Sequence, residues 1–265
     1  MESVLGYHDA KALLAWQIEL GATEAIGDAP VNRYELPDKS AKPAAETTPA
    51  RAAPSVTPSP EPTVDPVAVA KSAAANAGSL VSLRVALPAL PHCDLQRGAR
   101  NLGFSDGTAG ARVMFIGAAP GRVAEREGRP FVGRAGQLLD RMFAAIGLGR
   151  TPDRPEDGIY ITNVLPWRPP QNRDPTADEI AMMRPFVARH VELANPDFVV
   201  LMGNISCDAG LEKRSITRLR GAWTTAYGKP ALPMVHPAYL LRTPSAKREA
   251  WADLLSLQAR LRGGA

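Results

Sequence analysis

Cysteine is nearly absent from this sequence: Cys93 and Cys207 are the two it has among 265 residues. Two thiols cannot build a disulfide framework, and so low a count fits a reducing cytosol. Long apolar runs are absent too; none approaches the roughly 20 residues that a membrane helix needs. Met1 to Gln17 carries Glu2, Asp9 and Lys11 and lacks the basic start and apolar core of a secretion signal. These absences lead us to expect a soluble, cytoplasmic protein with no membrane attachment. Aromatic residues are missing altogether between Glu35 and Gly103, where eight prolines fall from Pro37 to Pro66 among Ala, Thr, Ser and Glu. Such a stretch cannot bury enough apolar surface to offset its ordering entropy, so residues 37–78 read as a disordered linker. It separates an N-terminal helical element, residues 1–36, from a folded domain, residues 79–265. The last class in short supply is lysine: the domain has 3 Lys against 22 Arg.

What is present is unevenly charged. Residues 1–78 carry a net charge of −4 and residues 79–265 a net +8. Arginine forms bidentate bonds to phosphate and stacks on flat groups, so a basic, Arg-rich domain fits nucleic acid or another polyanion. An Arg-biased genome gives the same composition. Near the N-terminus, Leu13, Leu14, Trp16, Ile18 and Leu20 recur at imperfect helical spacing, which predicts one or two short helices over residues 8–26.

In the domain, short apolar runs alternate with amphipathic segments. "ARVMFIGAAPG", "GIYITNVLPWRPP", "PDFVVLMGN" and "PALPMVHPAYLL" each read as a strand running into a turn or loop. Between them, "VGRAGQLLDRMFAAIGLG" places Leu138, Leu139, Met142, Phe143 and Ile146 on one helical face, with Gly147 suited to the end of that helix. "TADEIAMMRPFVARHVELANP" opens with a capping box, Thr176 and Glu179, and contains Pro185, which predicts a kink. "SAKREAWADLLSLQARLR" closes the domain as a helix. The alternation predicts an α/β fold on a mostly parallel sheet, whose chemistry gathers at the carboxyl ends of the strands, after Ile116, Val164, Met202 and Val235.

Taken singly, the residues at those ends are ambiguous. "GAAPG" has no Gly-Lys-Ser/Thr and is not GxGxxG, so alone it is only a strand-to-helix turn. Asn163 presents a donor and an acceptor that suit either a base edge or a loop cap. His236 before a proline is as well explained by structure as by chemistry, and Phe131 in "GRPFVG" by core packing as by stacking.

Their order is more specific. "GAAPG" (Gly117 to Gly121), "GRPFVGRAGQLLDRM" (Gly128 to Met142), "YITNVLPWRPPQNRDPT" (Tyr160 to Thr176), "ITRLRGAW" (Ile216 to Trp223) and "HPAYLLR" (His236 to Arg242) follow one another along the chain. In this arrangement the sequence closely resembles the bacterial uracil-DNA glycosylases of family 4, the iron-sulfur type, over roughly Cys93 to Leu261. The resemblance implies a three-layer α/β/α sandwich around a mostly parallel central sheet. It implies hydrolysis of the N-glycosidic bond of deoxyuridine in DNA after the nucleotide is flipped out of the stack, as in base-excision repair. It assigns Phe131 to stack on uracil, Asn163 to read its O4/N3 edge and His236 to donate to O2. Gly117, Ala119, Pro120 and Gly121 would line the pocket. Tyr239, Leu240, Leu241 and Arg242 would enter the minor groove, and Arg218 and Arg220 would meet the DNA backbone.

Two departures from the pattern matter. The family's four-iron four-sulfur cluster needs four cysteines; Cys93 matches one, while Leu90, Trp167 and Met183 stand at the other three positions. A cluster cannot be held that way, so no cofactor and no metal are expected, and Cys207 reads as a small buried residue. The family also keeps a glutamate where this chain has Ala118; only Glu125, with Glu127 nearby, retains an acidic match in the segment that follows. Loss of that group predicts an attenuated enzyme, by about 10² to 10³ in rate. The expected protein is thus a monomeric uracil-DNA glycosylase acting on uracil-containing DNA, with residues 1–78 available to a repair or replication protein. The alternative is a weakly active or non-catalytic DNA-binding relative that senses uracil or abasic sites.

Overall fold

The computed structural model describes residues 6–19 and 65–263. Residues 1–59 and 60–265 are separate units. In the first, helix α1 (Tyr7–Glu19) leaves Leu13, Leu14, Trp16 and Ile18 exposed. The remainder of the N-terminal element and the linker up to residue 64 lie outside the described residues.

The second unit is built on six strands: β1 (Asp106–Gly107), β2 (Val113–Gly117), β3 (Ile159–Asn163), β4 (Phe198–Met202), β5 (Thr224–Ala226) and β6 (Lys229–Met234). Its helices are α2 (Pro66–Asn76), α3 (Leu80–Ala86), α4 (Arg122–Glu127), α5 (Arg134–Ala144), α6 (Ala177–Ala194), α7 (Asn204–Leu211), α8 (Ile216–Leu219), α9 (Pro237–Arg242) and α10 (Lys247–Arg262). The strand order is β1-β3-β2-β4-β6-β5. The central four strands are parallel and the two edges antiparallel.

β2, β3 and β4 are buried along their whole length, as strands covered on both faces must be, with polar side chains only at the end of β3, Thr162 and Asn163. Side chains alternate between the faces. Met114, Ile116, Tyr160, Val199 and Leu201 join a core completed by α2, α3, α6 and α7. Val113, Phe115, Ile159, Ile161 and Val200 join a second core completed by α5 and α10. The result is the α/β/α sandwich expected from the sequence.

Two segments differ from the sequence reading. Residues 66–76, counted there as linker, form α2. Asp65 caps it by accepting from the Val67 N–H, Pro66 opens it, and Ala70 and Ala74 are buried against the α6 side of the sheet. The piece after β6 is helix α9 rather than a loop, with His236 as its N-cap. α6 runs through Pro185 as one helix. It starts with the expected capping box, in which Thr176 Oγ1 accepts from the Glu179 N–H and the Glu179 carboxylate accepts from the Thr176 N–H.

Candidate functional site

The parallel strands β2, β3, β4 and β6 end side by side, and their C-terminal loops bring together the residues that the sequence singles out. Gly117 is paired with Asn163 at the ends of β2 and β3, and the register continues past both, through Val164 N–H to Gly117 O at 2.9 Å and Leu165 N–H to Ala118 O at 2.9 Å. Phe131 reaches the same place from the loop between α4 and α5. A Cβ on Gly117 would lie 2.4 Å from Asn163 Oδ1 and 2.4 Å from Phe131 Cε2, so only glycine lets these two side chains close over the strand end. From the other side, His236 follows β6, and its ring stacks on that of Phe131 with centroids 5.3 Å apart and 28° between planes. Gly203, at φ +89° after β4, lies against the His236 side chain.

The electrostatics of these groups are specific. Asn163 is 5% exposed, and among the described residues neither Nδ2 nor Oδ1 has a hydrogen-bond partner. Leaving a buried donor or acceptor unpaired costs about 1–3 kcal/mol each, so such a group marks a place prepared for something else. His236 Nδ1 accepts a hydrogen bond from the Ala238 N–H at 3.1 Å, which leaves the proton of the neutral ring on Nε2. Burial, with the nearby Arg242 charge, pushes its pKa down to about 4, so the ring is neutral near pH 7. The arrangement is a flat apolar wall, an unpaired amide and a neutral N–H donor around one strand-end hollow.

The chain matches the model of the uracil DNA glycosylase superfamily over residues 104–255. It is 37% identical over 158 residues to the type-4 uracil-DNA glycosylase of Thermotoga maritima, an alignment covering 58% of this chain and 78% of the relative. To the type-4 enzyme of Archaeoglobus fulgidus it is 36% identical over 170 residues, 61% of this chain and 82% of the relative. It is also 29% identical over 157 residues to a DNA polymerase of Bacillus phage SP01, 59% of this chain but 16% of that protein. The chain belongs to the uracil-DNA glycosylase superfamily, in its type-4 branch.

Type-4 uracil-DNA glycosylases carry an iron-sulfur cluster, and the residues present here do not fit one. At the four ligand positions Leu90, Cys93, Trp167 and Met183 are 3%, 8%, 4% and 0% exposed and share one apolar core. Burial raises the pKa of the single thiol, Cys93, away from the thiolate a cluster requires. Cys207 is fully buried in α7, its pKa pushed up to about 12 by burial. Among the described residues, no group of three or more His, Cys, Asp or Glu could hold a metal ion.

At the glutamate position of the glycosylase pattern, Ala118 is part-buried beside Ala119, Pro120 and Gly121. Glu125, the retained acid, is held by Arg168: its carboxylate accepts from Arg168 Nη1 at 3.0 Å. Two of the assigned DNA contacts are engaged within the domain. Leu240 is 1% exposed and packs with Val235 and Ala250, anchoring α9. Tyr239, Leu241 and Arg242 are the residues of that helix that face outward. Arg220 makes bonds of 2.6 and 3.1 Å to the buried Asp253 and one of 2.7 Å to Glu249 O, tying the segment after α8 to α10. Its neighbour Arg218 is exposed. The sequence reading passed over Arg150, which is bonded to the backbone of Phe131 and whose only signal in the chain is its place just after the α5 turn, in "GLGR".

Proposed function

We propose that this protein is a uracil-DNA glycosylase that hydrolyses the N-glycosidic bond of deoxyuridine in DNA. The observation that carries the reading is Asn163: one unpaired buried donor and one unpaired buried acceptor, side by side. Uracil presents an acceptor at O4 and a donor at N3, which complement Nδ2 and Oδ1. Cytosine presents a donor at N4 and an acceptor at N3, which do not match that same amide orientation. The flipped base stacks on Phe131 between the Gly117–Gly121 turn and His236.

As the C1′–N1 bond breaks, its electron pair leaves with uracil and negative charge grows on O2. The His236 Nε2–H donates a hydrogen bond there, and a neutral ring held in one tautomer does so without reorganising. A water molecule adds to C1′ and loses its proton to solvent, giving free uracil and an abasic site. With alanine at position 118 no side-chain carboxylate orients that water, which slows the step. Tyr239, Leu241 and Arg242, with Arg218, meet the DNA. The domain works as a monomer without a metal cluster, in the cytoplasm. A repair or replication protein binds through the N-terminal arm that precedes α2; the exposed apolar residues of α1 support a partner there.

The test is single-turnover cleavage of a labelled uracil-containing oligonucleotide followed by alkali. Product that disappears in His236→Ala is expected; no product at stoichiometric enzyme over hours overturns the reading. In the same assay Ala118→Glu should raise the rate by at least about tenfold. The alternative of a non-catalytic sensor is not favoured, since the type-4 relatives are named as glycosylases. Selective uracil binding without release would revive it.

A further inference from the structure

We propose that Arg150 is a positioning residue that sets the ring of Phe131 against the base, so that excision depends on a side chain that never touches DNA. The inference rests on the reading of Phe131 as the stacking wall. Phe131 is a non-glycine residue in the left-handed region, at φ +55°, a conformation that costs of order 1 kcal/mol or more and persists only where neighbours enforce it. The enforcement comes from Arg150. Its Nη2 donates to Phe131 O at 2.6 Å and its Nη1 to Pro130 O at 3.0 Å, so two successive carbonyls of the loop are gripped by one guanidinium. Nη1 also donates to Asp106 Oδ2 at 2.5 Å and Nε to Asp140 Oδ1 at 2.7 Å. The side chain is 15% exposed.

Arg150 is itself fixed to the sheet that carries the rest of the site. Its carbonyl accepts from Thr108 Oγ1 at 3.0 Å, and Gly149, just before it, bridges to Gly158 at the entrance to β3. Asp106 lies on β1, paired with Ile161 of β3, the strand that ends in Asn163. Asp140 lies on α5, whose Gly136 leaves space for the Phe131 carbonyl: a Cβ there would fall 1.4 Å from that oxygen. One planar fork therefore couples the wall of the pocket to the strand that reads the base. Lysine, a point charge with three donors on a flexible stem, cannot reproduce this set of directions.

Single-turnover excision is compared in wild type, Arg150→Lys, Phe131→Leu and the double variant, with melting temperature measured for each. Arg150→Lys is expected to slow excision about tenfold, as for the loss of one or two well-formed hydrogen bonds. The same change should add less than about twofold in the Phe131→Leu background, because the wall it positions is already gone. Equal losses in both backgrounds would overturn the proposal and leave Arg150 a general stabiliser. If Arg150→Lys does not fold, Asp140→Ala, which removes one partner at the exposed end, takes its place with the same pattern at smaller size. Fluorine NMR of protein labelled with fluorophenylalanine separates this proposal from the functional reading. The Phe131 resonance, assigned by its loss in Phe131→Leu, should move or broaden in Arg150→Lys even if no oligonucleotide is cleaved; an unchanged line overturns the latch. A shifted line with no turnover in wild type would instead remove the glycosylase reading.

Discussion

The side chain of Asn163 is held at a strand end with both polar atoms buried and unpaired. It destabilises the unliganded fold, and the same feature gives the base-reading edge its strength. Asn163→Ala should therefore reduce single-turnover uracil excision by at least about 10²-fold, while thermal stability changes little or rises, since a buried unpaired amide is removed along with its packing. Paired kinetics and melting curves check both halves of the statement. Histidine gives the pH dependence. His190, 5% exposed, stacks on Phe104 at 4.4 Å and bonds to Tyr160 Oη at 2.9 Å; burial pushes its pKa from 6.5 down to about 3. His236 is depressed to about 4. Below pH 6.5 the unfolded chain takes up protons that the folded chain refuses. Stability is thus complete above that value and declines as pH falls toward 3, at up to about 1.4 kcal/mol per unit for each such histidine. Melting temperature against pH should show this slope, and His190→Gln should flatten it. That Phe131, Asn163 and His236 meet at one strand end could be expected, because each sits in a long, specific motif. The burial of Leu240 and the pairing of Arg220 could not, because whether a leucine or arginine next to such a turn points inward is decided by α10, far away in sequence, through Ala250 and Asp253.

At the scale of elements, the four parallel strands and the longer helices could be read from the sequence pattern, while the short edge strands β1 and β5 could not. β2 and β4 are short apolar runs, β3 turns polar only at its end, and α6 announces its start with a capping box. α2 could not be read so easily. Its alanines resemble the Pro/Ala-rich stretch before it, and the signal that was available, Asp65 followed by Pro66 at the first helical position, is one Pro among many. α9 was hidden because Val235, His236 and Pro237 read as the end of a strand running into a loop, and the capping role of His236 showed only in the fold. α2 yields a clear expectation. Removal of residues 1–64 should leave melting temperature and uracil excision unchanged. Removal of residues 1–78 takes Ala70, Ala74 and Ala77 out of the core and frees Arg189 Nε from the Ala77 carbonyl, and should lower the melting temperature by several degrees. Calorimetry on the two truncations tests the boundary.

The whole molecule joins an acidic arm to a basic domain, with charge totals of −4 and +8 on the two sides of residue 78. Such a domain meets the DNA backbone through a salt-sensitive surface, while the arm is repelled from it. Its iron chemistry also belongs to this scale. Protein purified aerobically should be colourless, without an absorbance band near about 400 nm, and carry iron well below one atom per chain; a brown preparation would refute the expectation. Where its relatives hold a cluster, this chain places Leu90, Trp167 and Met183 around one buried thiol. On the proposed cluster-free reading, oil in place of a metal cage would free the protein from a supply chain. It would mature as soon as the polypeptide is made, with no insertion machinery to wait for, and neither iron starvation nor peroxide would have a cubane to dismantle during the episodes in which damaged bases accumulate.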